Sequence, residues 1–308
     1  MSTERKVVLV TRRTRLQELV NRHLTLAQAR FYIEHLGADF SDYLAEDTAY
    51  AHSLGVVGTA LQAWGRYQVI DRGDLPTFVF GADDIVVALG QDGVVANTMK
   101  YLSGQPLIGL NPEPTRWDGL LLPFKPADLA ALLPEVAADR RATRAVSLAQ
   151  VTLSDGQTMR AANDLFIGPR THTSALYDIE IGGRHEVQSS SGIIVSTGLG
   201  STAWIKSVVT GAASITQRLH AGQPVHYAPQ AWDTPQLTFA VREPFPSRTS
   251  QAELVFGHVN AQHPLTLRSR MPENGVIFSD GIEADFLRFT AGVEAVISLA
   301  PTCGQVVT

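Results

Sequence analysis

Apolar positions fall into two regimes along the chain. Over roughly the first half, strand-length apolar runs alternate with stretches of helical spacing; beyond residue 142 only short runs at close intervals remain. The run Val7-Val8-Leu9-Val10 predicts an opening strand. Leu16, Leu19, Val20, Leu24, Ala27 and Tyr32 then recur at helical spacing within residues 15–36. A second helix is predicted over residues 51–64, ended by Gly65, followed by a short strand at residues 67–70. The run Ile85-Val86-Val87-Ala88-Leu89 predicts a buried strand, residues 94–102 a helix, residues 106–110 another strand, and residues 126–139 a helix with Pro126 in its first turn. Strand and helix in alternation predict a parallel sheet covered by helices.

The later runs, among them residues 146–153, 176–181, 192–196, 236–241, 253–259 and 294–299, are separated by turn residues. Asp155-Gly156 and Gly182-Gly183 read as hairpin turns, so this part is expected to be antiparallel and β-rich. The pattern changes after Arg140-Arg141. Two domains are therefore expected, residues 1–141 and 142–308, with the last strands free to return to the first; a chain of 308 residues is long for one core.

Composition narrows the class. Apolar residues at 44% and charged residues at 18% describe a globular chain, and a formal charge of -5 provides no basic field for nucleic acid. One cysteine, Cys303, excludes an internal disulfide and a cysteine-built metal site, and is expected to be a small apolar filler. The polar first residues run straight into a strand and no apolar stretch reaches membrane-spanning length, so a cytoplasmic protein without a membrane partner is expected. The histidines never adopt a metal-binding spacing, and His185-Glu186 reads as exposed hairpin sequence.

Candidate chemistry sits in four places. Gly90-Gln91-Asp92-Gly93 follows the Ile85 run, which puts Asp92 at the carboxyl end of a strand, where open α/β sheets bind ligands. The glycines are read as points where the backbone turns sharply. Thr197-Gly198-Leu199-Gly200-Ser201-Thr202-Ala203 joins a strand to helix-like residues 204–213, so its amides and hydroxyls can line ribose and phosphate oxygens. Asn163-Asp164 precedes a further apolar run, and Asn111 ends another. Gly198 to Ala203 also fits G-x-G-x-x-A, but it lies among strands and has no acid about twenty residues later, so a dehydrogenase fingerprint is rejected; there is no Walker loop.

In this order the motifs resemble the NAD kinase family, which carries Gly-Gly-Asp-Gly-Thr, Asn-Glu and Thr-Gly-Ser-Thr-Ala-Tyr segments. Residues 106–111, Ser190-Ser191-Gly192, Trp204 and Phe239-Ala240-Val241-Arg242-Glu243-Pro244 look like its mitochondrial-type branch, and the resemblance spans about residues 6–299. It implies a Rossmann-like amino-terminal domain, a β-rich carboxy-terminal domain and a homodimer or higher homo-oligomer. The implied reaction is magnesium-dependent transfer of the ATP γ-phosphoryl group to the 2′-hydroxyl of the adenosine ribose of NAD. Asp92 matches the aspartate that binds or deprotonates that hydroxyl. Asn163 and Asp164 match the Asn-Glu pair, Thr202, Ala203 and Ser207 match residues lining the adenosine and nicotinamide sites, and Gly90 and Gly93 match glycines near the phosphates. Three residues depart from the pattern: Gln91 replaces a glycine, Val94 a threonine and Asp164 a glutamate. A positive φ at Gln91 would be strained, and Val94 lacks a hydroxyl for a phosphate oxygen. The alternatives are a dinucleotide-binding protein without transfer activity, or a kinase with another acceptor.

Overall fold

The computed structural model describes residues 5–220 and 227–308. The chain divides into two compact units, Met1–Arg144 with Gln305–Thr308, and Ala145–Gly304.

The first unit is built on strands numbered along the chain as β1 (Val7–Thr11), β2 (Tyr67–Asp71), β3 (Ile85–Leu89), β4 (Pro106–Leu110), β5 (Thr143–Val146) and β18 (Gly304–Val307). They form one sheet in the order β2-β1-β3-β4-β18-β5. β1 runs parallel to β2 and β3, β3 parallel to β4, and β4 parallel to β18. Every residue of β3 is buried, which is why it reads as an unbroken apolar run and not an alternating one. On one face Val7, Leu9, Ile85, Val87, Leu89 and Ile108 meet Val57 and Leu61 of α3 (Phe40–Trp64) and Leu129, Leu132 and Leu133 of α5 (Leu129–Ala137). Each such side chain stabilises the fold by about 1.5–3 kcal/mol relative to exposure.

The helix expected over residues 15–36 is two helices, α1 (Arg15–His23) and α2 (Leu26–His35). Leu24 adopts φ 68° between them, and the Thr25 hydroxyl caps the second by accepting from Gln28 N at 3.2 Å. Apolar periodicity does not register a hydroxyl cap. α3 begins at Phe40, ahead of the expected residue 51, because its first turns carry Asp42 and Glu46 in ion pairs and so lack an apolar stripe.

Gly109, in the middle of β4, lies directly under the chain at Leu121 and Leu122, and a methyl group there would overlap the Leu121 carbonyl. Gly109→Ala is expected to cost about 1–3 kcal/mol through this overpacking, read as a lowered midpoint in urea unfolding. An unchanged midpoint would show that the overlying segment moves freely.

The second unit holds two six-stranded antiparallel sheets. One, in the order β10-β9-β14-β17-β6-β7, contains β6 (Ala149–Leu153), β7 (Thr158–Ala161), β9 (Ala175–Ile181), β10 (Arg184–Ser190), β14 (Leu265–Ser269) and β17 (Glu294–Leu299). The other, in the order β13-β12-β11-β8-β15-β16, contains β8 (Asp164–Pro169), β11 (Ile193–Ser196), β12 (Leu237–Val241), β13 (Phe256–Val259), β15 (Gly275–Ser279) and β16 (Ile282–Arg288). Val151, Tyr177 and Leu267 of the first sheet share one core with Ile167, Val195 and Phe239 of the second. The two expected hairpin turns are present: Gly156 at φ 88° joins β6 to β7, and Gly182 and Gly183, at 57° and 75°, join β9 to β10. Glu186, expected to be exposed, is buried and accepts from Leu254 N at 3.1 Å. Cys303 is exposed, so it is not a core filler. Among the described residues no helix is long and apolar enough to cross a membrane.

Candidate functional site

In the first unit the candidate residues meet at the carboxyl ends of β3 and β4. Leu89 and Leu110 are register partners, and Gly90 N donates to Leu110 O at 3.2 Å, so Gly90 and Asn111 leave the sheet side by side. Asp92 is the first residue of α4 (Asp92–Met99), where a negative charge is favoured by the helix macrodipole. Its Oδ1 accepts from Leu121 N at 2.6 Å. Asn111 holds the following loop: Oδ1 accepts from Glu113 N at 3.0 Å and Nδ2 donates to Trp117 O at 3.0 Å.

The backbone bends at Gly90 between β3 and α4, as expected, but without a left-handed residue, since neither Gly90 nor Gly93 is among those with positive φ; Gly93 lies within the first turn of α4. Gly90 is required by closeness instead: a Cβ there would stand 2.9 Å from Val94 Cγ2 and 3.3 Å from Arg12 Cδ. Gly93 faces open space inside the first turn of α4. Gln91 sits at φ -105°, ψ 167°, ordinary extended backbone, so it carries none of the strain that a positive φ would impose. Val94 is buried, its methyl packed at Gly90.

A network unforeseen in the sequence reading lines the same edge. Arg12, just beyond β1, is buried; it donates to Glu46 Oε1 at 2.9 Å, and its guanidinium lies 5.1 Å from the Tyr50 ring centre. Tyr50 Oη accepts from Arg12 N at 3.0 Å and donates to Leu89 O at 3.1 Å. Arg15 bonds Glu46 and Asp42, and Arg116 pairs with Asp42 at 2.7 Å and Glu113 at 2.9 Å. Hydrogen bonds from Arg116 and then Arg15 hold the Asp42 carboxyl down at about 2. Burial pushes the Glu46 carboxyl up, but the bonds from Arg15 and Arg12 outweigh it and leave it below its ordinary value. Arginines 12, 15 and 116 thus balance acids 42, 46 and 113, tying the loops after β1 and β4 to α3. The signal for it was Thr11-Arg12-Arg13-Thr14-Arg15, basic residues directly after the first strand.

In the second unit the antiparallel register Ser196↔Asp164 places Asn163 beside Thr197. Thr197 N donates to Asn163 O at 2.9 Å, and its hydroxyl donates to Ala162 O at 2.5 Å and accepts from Gly200 N at 3.1 Å. Ser201 Oγ donates to Gly198 O at 2.6 Å and accepts from Gln230 N at 2.9 Å. Thr197 and Ser201 are both buried and therefore shape the loop, whereas Thr202, Ala203 and Ser207 are exposed. Gly198 and Gly200 again serve close approach: a methyl group would overlap the Ala231 carbonyl at one and the Asn163 carbonyl at the other.

Asp164 is 6% exposed. Burial, and next the charge of Asp280, pushes its carboxyl up to about 7. Asp280 was not singled out by sequence. Its carboxylate accepts from the amides of Ala162, Asn163 and Asp164 at 3.1, 2.7 and 3.3 Å. Nearby, Phe166 stacks between Trp204 at 5.7 Å and Phe278 at 4.9 Å, and Arg242 lies 5.5 Å from the Trp204 ring centre. These residues, with Arg170, Ser191 and Glu283, line a cavity of about 350 Å³. Among the described residues no group of three or more His, Cys, Asp or Glu side chains is placed to hold a metal ion.

Solved structures share this fold. The chain is similar to yeast NADH kinase complexed with NADH, with 14% identity and a TM-score of 0.57 over 100% of this chain and 84% of that one. It is similar to an NAD kinase from Archaeoglobus fulgidus in complex with ATP, with 15% identity and a TM-score of 0.55 over 98% of this chain and 93% of that one. No protein-family model and no curated protein matches the chain. The fold, a parallel-sheet unit followed by a unit of antiparallel sheets, is that of the NAD kinases.

Proposed function

We propose that the protein is an NAD kinase-type phosphotransferase that moves the γ-phosphoryl group of MgATP to the 2′-hydroxyl of the adenosine ribose of NAD, giving NADP. The observation that carries this reading is Asp92, a lone carboxylate on the first turn after a parallel strand, in a fold shared with kinases that bind NADH and ATP. Magnesium enters as part of the nucleotide substrate, coordinated by phosphate oxygens and water.

Phosphoryl transfer asks the protein mainly to position the reactants and to handle charge. In this reading one oxygen of Asp92 accepts the proton of the attacking hydroxyl while Oδ1 accepts from Leu121 N, a bond that aims the carboxylate. Asn163, whose backbone alone is engaged in the bonds described above, offers its amide to the dinucleotide, with Asp164 beside it. Thr202, Ala203 and Ser207 line the nucleoside, on a loop whose shape is set by Thr197 and Ser201. The backbone near Gly90 and Gly93 faces the phosphates. The mitochondrial-type branch is the part of the family the chain resembles most, through Trp204 and the Arg242-Glu243-Pro244 segment.

The buried Val94 favours one rival, a dinucleotide-binding protein without transfer activity, because no hydroxyl stands at that turn of the phosphate loop. One incubation separates them. Purified protein with MgATP and NAD is expected to accumulate NADP, read with an NADP-specific dehydrogenase. NAD binding by calorimetry with neither ATP binding nor NADP formation would establish the rival instead.

A further inference from the structure

We propose that Asp280 is the positioning residue of the dinucleotide site: from a hairpin tip it fixes the Ala162-Asn163-Asp164 turn and makes Asp164 a hydrogen-bond donor to the ligand. The inference rests on the reading of residues 163 and 164 given above.

Asp280 and Gly281 form the two-residue link between β15 and β16, at φ 54° and 71°. Asp-Gly suits such a turn, because both positions need a left-handed backbone. The register Ser279↔Leu165 then brings the tip alongside the start of β8. Three amides converge on the Asp280 carboxylate, and Asp280 N donates back to Asp164 O at 3.0 Å. The opposite side of the same turn is gripped by Thr197, which donates to the carbonyls of Ala162 and Asn163. The turn is held by its amides from one direction and by its carbonyls from the other, which leaves the Asn163 and Asp164 side chains with a defined aim.

The charge that holds the amides also faces Asp164. Ser196 and Thr197, on the neighbouring segment, contribute hydroxyls and no charge. Burial of Asp164 disfavours its ionised form, and the facing Asp280 charge adds to that, so Asp164 keeps its proton into the neutral range. A protonated carboxyl presents an O–H donor. It therefore suits an acceptor atom of the ligand, a ribose oxygen or a ring nitrogen, where an ionised glutamate would suit a hydroxyl donor.

The test is NAD binding by calorimetry from about pH 5.5 to about pH 8.5, on wild type, Asp280→Asn and Asp164→Asn. Wild-type affinity is expected to fall as pH rises through neutrality. Asp280→Asn is expected to bind about tenfold more weakly, with its midpoint displaced to lower pH because the facing charge is gone. Asp164→Asn presents an N–H donor at every pH, so whatever its affinity, that affinity is expected not to change with pH, an outcome readable even if Asp280→Asn does not fold. A weaker Asp280→Asn with an unmoved midpoint would reduce Asp280 to a structural cap, and an Asp164→Asn affinity that still falls as pH rises through neutrality would overturn the donor role. If wild type does not bind NAD at all, the functional reading itself falls; if it binds independently of pH, only this assignment does.

Discussion

Asp92→Asn is expected to lower the rate of NADP formation by at least about 100-fold, the usual contribution of a positioned general base. Asparagine has nearly the same shape, and its carbonyl oxygen can continue to accept from Leu121 N, so the loop over β4 stays seated. What is lost is the second oxygen as a proton acceptor. Unfolding free energy in urea is expected to stay within about 0.5 kcal/mol of wild type, as for a substitution that preserves its hydrogen bond. A variant turning over within about fivefold of wild type would remove Asp92 from the chemistry, because so small a loss lies below any general-base effect. A variant that is both inactive and unstable would instead mark Asp92 as a structural brace for the Leu121 segment.

Asp164→Asn is expected to stabilise the protein, and to do so only where the wild-type carboxyl is a burden. The ordinary value of 3.8 is raised in the folded state to about 7. As pH rises through that window the unfolded chain loses this proton before the folded one does. Wild-type stability therefore falls between the two values and levels off above the higher. At about 1.4 kcal/mol per unit, the accumulated penalty above neutrality is on the order of 2–4 kcal/mol. Asparagine lacks it. The advantage of the variant in urea unfolding should be larger at about pH 8 than at about pH 5 by roughly 2 kcal/mol. An advantage equal at both pH values would mean that Asp164 is ionised throughout, and the pairing with Asp280 would need another explanation.

Both residues were legible in the sequence, but not for the same reason. Asp92 stood out because it follows a buried strand at its carboxyl end and opens a helix, and strand, turn and helix start are local features. Asp164 was visible only beside Asn163, and its environment was not, because the group that perturbs it lies 116 residues away in the chain. Only strand pairing of β8 with β15 makes them neighbours. The same limit explains the glycines. The glycine positions suggest a chain that turns sharply, whereas Gly90 and Gly200 are small because Val94 and the Asn163 carbonyl come close. The buried Arg12 network is not legible in the sequence because its partner Glu46 is 34 residues away, on a helix whose apolar pattern Asp42 and Glu46 interrupt. The division among the hydroxyls could not be told from spelling: Thr197 and Ser201 are buried and shape the loop, whereas Thr202 and Ser207 are exposed.

One strand of the first sheet comes from far along the chain. β18 lies between β4 and β5, with Val307 in the same apolar cluster as Leu9 and Ile108. During synthesis on the ribosome the earlier strands emerge well before their central neighbour, so β4 must wait with an open flank while the whole β-rich unit is made. The sheet of the first unit is therefore completed only once residues 304–307 are available, however early its other strands are made.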